Sequence, residues 1–325
     1  MAAPDAAPGA RAYSFGTRIS ELAPAPDNPE HTIITIAERE SGKVAAYPHL
    51  PVALTEDQPL ATASIEAALA DIAQMVGSTL PSLPAHPGLD ILRKQPPRFR
   101  TLAGPVDVRQ ADEGSVDYAS AITASLRGLD HSYLAVQGPP GTGKTHVGAH
   151  VIGRLVAEGW KIGVVGQSHN VVENLLCCAI AAGGVPPTVV AKKLNAPHEV
   201  PWALQAEGDV AQLLASPGGC LVGGTAWTMT GKEVPAGSLD LLVIDEAGQF
   251  SLANTLAVSR AAKRLLLLGD PQQLPQVTQG AHPEPVDDSA LGWLAAGHAT
   301  LPASLGYFLA DSWRMHPDLC RAVSR

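Results

Sequence analysis

The stretch Gly138-Pro139-Pro140-Gly141-Thr142-Gly143-Lys144-Thr145 constrains this chain more than any other, because it follows the apolar run Tyr133-Leu134-Ala135-Val136 and opens a long helical pattern. A strand, a glycine-rich turn and a helix form the setting in which Gly-x-x-x-x-Gly-Lys-Thr binds phosphate. The glycines let successive backbone N–H groups turn inward around an anion, and the dipole of the following helix adds positive potential there. Lys144 can then reach the terminal phosphates as a point charge, and Thr145 offers a hydroxyl to magnesium. A Gly/Pro turn that binds nothing is the alternative, and the strand before and helix after argue against it.

From Val116 onward the rhythm is strand, turn, helix, repeated. A helix is expected at Val116 to Leu126, then the strand Tyr133 to Val136, then helices from Lys144 to about Glu158 and from about Asn170 to Ala182. Further strands are expected at Lys161 to Val165, Thr188 to Ala191, Cys220 to Gly223, Leu241 to Ile244 and Arg264 to Leu268. Several are short continuous apolar runs, as parallel strands buried on both faces require. A doubly wound α/β sheet places its ligands beyond the carboxyl ends of its strands, and the polar motifs of this chain fall at those ends.

Leu241-Leu242-Val243-Ile244 runs directly into Asp245 and Glu246, with Gln249 close behind. Two adjacent acids can divide the work: Asp245 holds magnesium, and Glu246 orients or deprotonates an attacking water. The same pair would also suit a helix start, with Asp245 as cap. A phosphate loop 101 residues before Asp245 favours the catalytic reading, since the two motifs need each other. The run Arg264 to Leu268 ends in Gly269-Asp270-Pro271-Gln272-Gln273-Leu274-Pro275, where Gln273 suits a hydrogen bond to a terminal phosphate or the attacking water; a Gly-Asp-Pro turn with incidental glutamines is the plainer alternative.

With Trp313-Arg314-Met315-His316-Pro317, these motifs resemble superfamily 1B helicases in order and approximate spacing, over Tyr133 to Arg325, 193 of 325 residues. The resemblance implies a RecA-like P-loop NTPase, a parallel sheet flanked by helices, using ATP and magnesium. Within it Gln167 to Leu175 looks like a grip on the backbone of single-stranded nucleic acid, through Ser168 and Asn170, and Gly224-Thr225-Ala226 looks like the next, through Thr225. Taken alone, either stretch reads as a helix cap or turn. Arg314 resembles an arginine that reaches the terminal phosphate from a second RecA-like domain, and Trp313 stands where the family usually has Tyr beside the nucleotide base. The wider phrasing most resembles the helicase part of bacterial RecB-like nuclease-helicase fusions.

Three departures matter. The family usually reads adenine with a Gln in the helix before the phosphate loop; Val116 to Leu126 has none, and Gln110 lies outside it. Gln276 replaces a common proline. Eleven residues follow Arg314, so a truncated second domain is expected, its missing half or a nuclease domain being a potential partner. Glu38, Glu40 and Lys43 lack the Glu-x-Lys spacing of a nuclease site.

A net charge of -9 argues against holding nucleic acid by bulk electrostatics. Basic clusters at Arg93, Lys94, Arg98 and Arg100, at Lys192 and Lys193, and at Arg260, Lys263 and Arg264 read as solvated helix faces. Cys177, Cys178, Cys220 and Cys320 make no C-x-x-C pair, which favours reduced, mostly buried thiols. Met1 to Ala10 is not a signal peptide and no apolar run reaches membrane-spanning length, so a cytoplasmic protein with no membrane partner is expected. Residues 1–30 are expected to be disordered. Residues 31–110 are read as a small accessory region and linker, with a hairpin of His31–Ala37 against Lys43–Tyr47, a helix from Ser64 to Val76 and a linker from Pro81 to Pro97. Residues 111–300 are read as the first RecA-like domain and 301–325 as the start of the second. The leading function is an ATP-dependent helicase or translocase motor moving on single-stranded DNA; the alternative is a nucleotide-binding module without turnover that acts through partners.

Overall fold

The computed structural model describes residues 18–28, 30–37, 61–109, 116–194, 198–274, 282–295 and 297–311. The chain divides into two units, Met1–Ala61 and Thr62–Arg325. In the first, Arg18–Pro24 (β1) pairs antiparallel with Thr32–Ala37 (β2). Among the described residues the partner of β2 lies upstream, in a stretch expected to lack structure. Its β-branched residues Ile33, Thr35 and Ile36 suit a strand, and the Asp27-Asn28 turn brings the chain back, with Glu30 N–H donating to Asn28 Oδ1 at 3.0 Å. Lys43–Tyr47, Glu38 and Glu40 lie outside the described residues.

The second unit opens with helix α1 (Ala63–Thr79), capped at Thr62 rather than Ser64. Ser64 instead lies inside the helix, where its hydroxyl meets that of Thr230 at 3.0 Å. The stretch read as linker contains a buried helix, α2 (Pro87–Leu92), with proline at its first position. Its Asp90 accepts from Ser132 Oγ at 2.7 Å and pairs with Arg98, tying the segment to the entrance of the main sheet. Helix α3 (Tyr118–Gly128) starts at the cap Asp117, whose Oδ1 accepts from Ser120 N–H at 2.9 Å.

The apolar runs then form one parallel sheet. Its strands are β3 (Tyr133–Gln137), β4 (Lys161–Val165), β5 (Val190–Ala191), β6 (Cys220–Gly224), β7 (Leu241–Asp245), β8 (Leu265–Gly269) and β9 (Gly306–Phe308), in the order β5-β6-β4-β7-β8-β3-β9. Residues of β3, β4, β6, β7 and β8 are almost all fully buried, because helices cover both faces. The period of two sorts them. Tyr133, Ala135, Leu242, Ile244, Leu265 and Leu267 join one core with Ile65, Ile91, Leu252 and Val258. Leu134, Val136, Leu241, Val243, Leu266 and Leu268 join the other, with residues of α3, of α4 (Lys144–Ala157) and of α5 (His169–Ala181). Gly306–Phe308, in the stretch read as the start of a second domain, pairs with β3, with Leu309 N–H donating to Gln137 O at 2.8 Å.

The shorter helices α6 (Asp209–Ala215), α7 (Ala226–Thr230), α8 (Leu252–Ser259) and α9 (Ala290–Ala295) connect or cover the strands. Two basic residues read as solvated are buried. Lys192 is 1% exposed, with Nζ donating to Glu173 Oε1 at 2.7 Å, and Arg264 lies over the Trp160 ring and donates to Leu129 O. Among the described cysteines Cys220 is buried, while Cys177 and Cys178 are half-buried free thiols. Among the described residues no helix is long and apolar enough to cross a membrane.

Candidate functional site

The phosphate loop is shaped by what its glycines permit. Gly141 and Gly143 stand at φ 86° and 83°, the left-handed region that other residues enter at a cost. A Cβ on Gly138 would lie 2.4 Å from Thr142 Oγ1, so the loop closes on itself only with glycine there. Gly138 N–H donates to Gly269 O at 3.0 Å, which fastens the loop to the end of β8. Gly143, the N-cap of α4, brings no capping side chain, and the first turn of that helix carries Lys144 and Thr145. Lys144 is buried, its Nζ donating to Gly138 O at 2.6 Å.

β7 delivers the two acids. Asp245 is 3% exposed and its Oδ1 accepts from Glu246 N–H at 3.0 Å. Burial, and then the charge of Glu246, push its carboxyl up to about 7, against the pull of that N–H group and of Lys144. The alternative of a helix start at Asp245 does not form: residues 246–249 are a turn, and Glu246 itself takes φ 55°. A non-glycine residue held there stores roughly 1–3 kcal/mol of strain, which clusters at functional sites. Glu246 Oε2 is buried without a hydrogen-bond partner. An orphaned carboxylate oxygen beside a buried acid and a hydroxyl suits a hydrated divalent cation.

β8 delivers Gln273, whose N–H donates to Asp270 O at 3.2 Å and whose Oε1 accepts from Gln249 Nε2 at 3.1 Å. The Gln249 carbonyl in turn accepts from Gln167 Nε2, at the end of β4. Pro140, Gly141, Gly143, Lys144, Thr145, Glu246 and Gln273 line one cavity of about 700 Å³. The structure thus gathers residues from three strand ends that the sequence had spread over more than a hundred positions. Asn174, Cys178 and His146 line it too, and the sequence reading had assigned them no place in it. Asn174 and Cys178 stand four apart on α5, a spacing that puts both on one helix face, but nothing in the sequence aims that face at the loop.

The neighbouring part of the same edge carries the other predicted residues. β4 and β6 are paired with Val165 opposite Gly224, so residues 166–170 and 225–227 leave the sheet side by side. Ser168 and Asn170 are exposed; Ser168 Oγ accepts from Val171 N–H at 3.3 Å and so caps α5. Thr225 occupies the N-cap of α7, with no side-chain cap hydrogen bond. Trp313, Arg314, Gln110, Gln276 and Cys320 lie outside the described residues.

A parallel sheet flanked by helices on both faces, with a glycine loop between β3 and α4, defines a RecA-like P-loop α/β protein. A family model described as an AAA domain matches residues 119–289, more than half of the chain, and the chain belongs to that family. It is similar to the DNA replication ATP-dependent helicase/nuclease dna2 of Schizosaccharomyces pombe, 28% identical over 222 residues, which are 64% of this chain and 15% of that protein. It is also similar to DNA2 of Saccharomyces cerevisiae, described in the same words, at 26% over 180 residues, 51% of this chain and 11% of that one. The chain thus spans well under a fifth of the length of these curated relatives. Among solved structures it aligns with the Pyrococcus furiosus Hef helicase domain at 16% identity and a TM-score of 0.38, over 60% of this chain and 38% of that one.

Proposed function

We propose that the chain is the ATP-binding half of a superfamily 1B nucleic-acid motor, hydrolysing ATP with magnesium to move on single-stranded DNA. The observation that carries this reading is the division of one carboxyl edge: β3, β7 and β8 lead to the cavity, while the segment after β4 carries the exposed Ser168 and Asn170 and β6 ends beside it at the half-buried Thr225. A motor needs those two sites on one rigid frame. The relatives named for DNA replication helicase/nuclease activity support a DNA substrate, and the wider phrasing of the motifs supports a RecB-like fusion as the parent protein.

In this reading residues 138–145 cradle the phosphates. Lys144 exchanges the Gly138 carbonyl for a phosphate oxygen, neutralising charge that builds up during transfer. Thr145 and Asp245 would hold magnesium, which would supply Lewis-acid neutralisation of phosphate charge. Glu246 accepts the proton of the attacking water, a role its unpartnered oxygen leaves open. Gln273, held by Gln249, reports the terminal phosphate. Ser168, Asn170 and Thr225 would contact the strand's backbone without reading sequence. Trp313 and Arg314 would act from a second domain, on the base and the terminal phosphate, and the protein would work in the cytoplasm.

The test is ATP hydrolysis with and without single-stranded DNA, alongside nucleotide binding. Stimulation by the strand is expected, and Lys144→Ala should weaken nucleotide binding at least tenfold. Unchanged affinity in that variant would refute the site; binding without turnover in the wild type would favour a nucleotide-binding module.

A further inference from the structure

We propose that His146 and His150 form a chelating site for a divalent transition-metal ion of the zinc and nickel kind, separate from the magnesium position proposed above. Both lie on α4, four residues apart, the spacing that sets two imidazoles on one helix face and serves metal binding wherever His-x-x-x-His is helical. Their Nε2 atoms stand 3.0 Å apart, with ring centroids at 4.5 Å and ring planes at 79°. Two imidazole nitrogens each about 2.0–2.1 Å from one ion, at tetrahedral or octahedral angles, stand about 2.9–3.4 Å from each other. The pair already has the separation that chelation needs.

The helix holds that geometry from behind. Gly148, Ala149, Val151 and Ile152 are buried, and a Cβ on Gly148 would lie 2.7 Å from Leu268 Cδ1, so the opposite face of α4 is pressed against β8. His146 is exposed and His150 half-buried, which leaves the pair open to an ion. His146 also lines the nucleotide cavity, so the ion would stand at its rim.

As the pair stands, one ring donates an Nε2–H to the other. Uptake of the ion moves that proton to Nδ1 of the same ring, and both Nε2 lone pairs then face the metal with no change in proton count. Imidazole selects zinc, nickel and copper, whereas magnesium takes oxygen. Among the described residues no third histidine, cysteine or carboxylate joins the pair, so water fills the rest of the shell and the ion exchanges readily. Of the charged side chains acting on His150, Arg154 opposes a cation and Asp117 offsets part of that. The Arg154 guanidinium is itself engaged, donating to Ser120 Oγ at 2.8 Å.

The test is calorimetric titration of the 325-residue chain with nickel, in excess magnesium and without nucleotide. Eleven histidines offer nickel other places to bind, so the variants decide. His146→Gln and His150→Gln, which keep a good helix former, should each weaken the tightest site about a hundredfold, since even an outer-shell loss costs on the order of 10–100-fold. The double variant should bind no more weakly than either single one, because chelation is lost at the first step. His282→Gln, at an exposed histidine paired with Asp287, should leave that site unchanged. Thermal melting of each variant shows that the fold is intact. If either single variant keeps the wild-type affinity, if magnesium displaces the nickel, or if the wild type binds no nickel, the site is wrong. None of these outcomes touches the nucleotide reading.

Discussion

Gly248→Ala is the sharpest perturbation the site offers, because the methyl group has nowhere to go. A Cβ on Gly248 would lie 2.0 Å from Asp270 O and 2.6 Å from Asp270 C, both backbone atoms. Real Cβ contacts stay beyond 3.0 Å, so the turn after β7 and the turn after β8 must part by at least 1.0 Å. Neither side yields easily: Ala247 N–H donates to Leu268 O at 2.8 Å, and Asp270 O already accepts from Gln273 N–H. Overpacking typically costs about 1–3 kcal/mol, and backbone on both sides places this case at the upper end. For a domain of this size that is a fall of roughly 6–12 °C in melting temperature. The same displacement carries Gln273 away from Glu246, and a misplacement of that order costs on the order of a hundredfold in turnover. The loop residues 138–145 are fastened elsewhere, so nucleotide affinity should change far less than kcat. Gly77→Ala, in α1 with nothing within 4 Å of the added carbon, is the control and should stabilise by up to about 1 kcal/mol. A Gly248→Ala protein with the wild type's melting temperature and a kcat within twofold would refute the close-packing argument.

Buried Lys192 and half-buried Glu173 predict a non-additive cycle. Glu173→Leu leaves the buried Lys192 ammonium without its carboxylate and should cost about 3 kcal/mol in denaturant unfolding, Lys192→Met leaves Glu173 with His198 and should cost less, and the double variant should cost less than the sum of the two; additive losses would sink the idea. His86 predicts a pH dependence: burial, then the charges of Arg98 and His131, push its imidazole down to about 4 from the usual 6.5. The unfolded chain therefore takes up a proton as pH falls through that window while the folded chain does not, so up to about 3 kcal/mol of stability present above the window is lost towards its lower end. Asp90, pushed up by burial, works in the opposite sense, so the comparison is with His86→Asn, a residue suited to the N-cap position that His86 occupies, which should lose less stability between pH 7 and pH about 4.5. Parallel curves for the two proteins would exclude His86 as the source.

Local chemistry made part of this molecule legible before any fold was known. Short continuous apolar runs such as Leu241–Ile244, spaced by turn signals, suit strands buried on both faces, and Gly138 to Thr145 between a strand and a helix suits a phosphate-binding turn. Each of those properties is contained within about ten residues of sequence, and the strand ends landed within a residue or two. What remained hidden depends on partners distant in sequence. The strand β2 pairs with Arg18–Pro24, whose own residues carry little strand signal. Pro87–Leu92 looked like linker because its burial comes from α8 and the sheet, and Gly306–Phe308 carries no strand signal beyond the vacant edge of β3. Lys192, just after β5, reads as solvated until Glu173, on α5, is found facing it. The site divides the same way. The sequence determined that a phosphate loop and two acids exist. Only the tertiary structure decided that Glu246 would stand strained with an unpartnered oxygen and that Asn174 and Cys178 would join the cavity wall. Strand order sets which loops are neighbours, and a strand's own residues record only that it is buried.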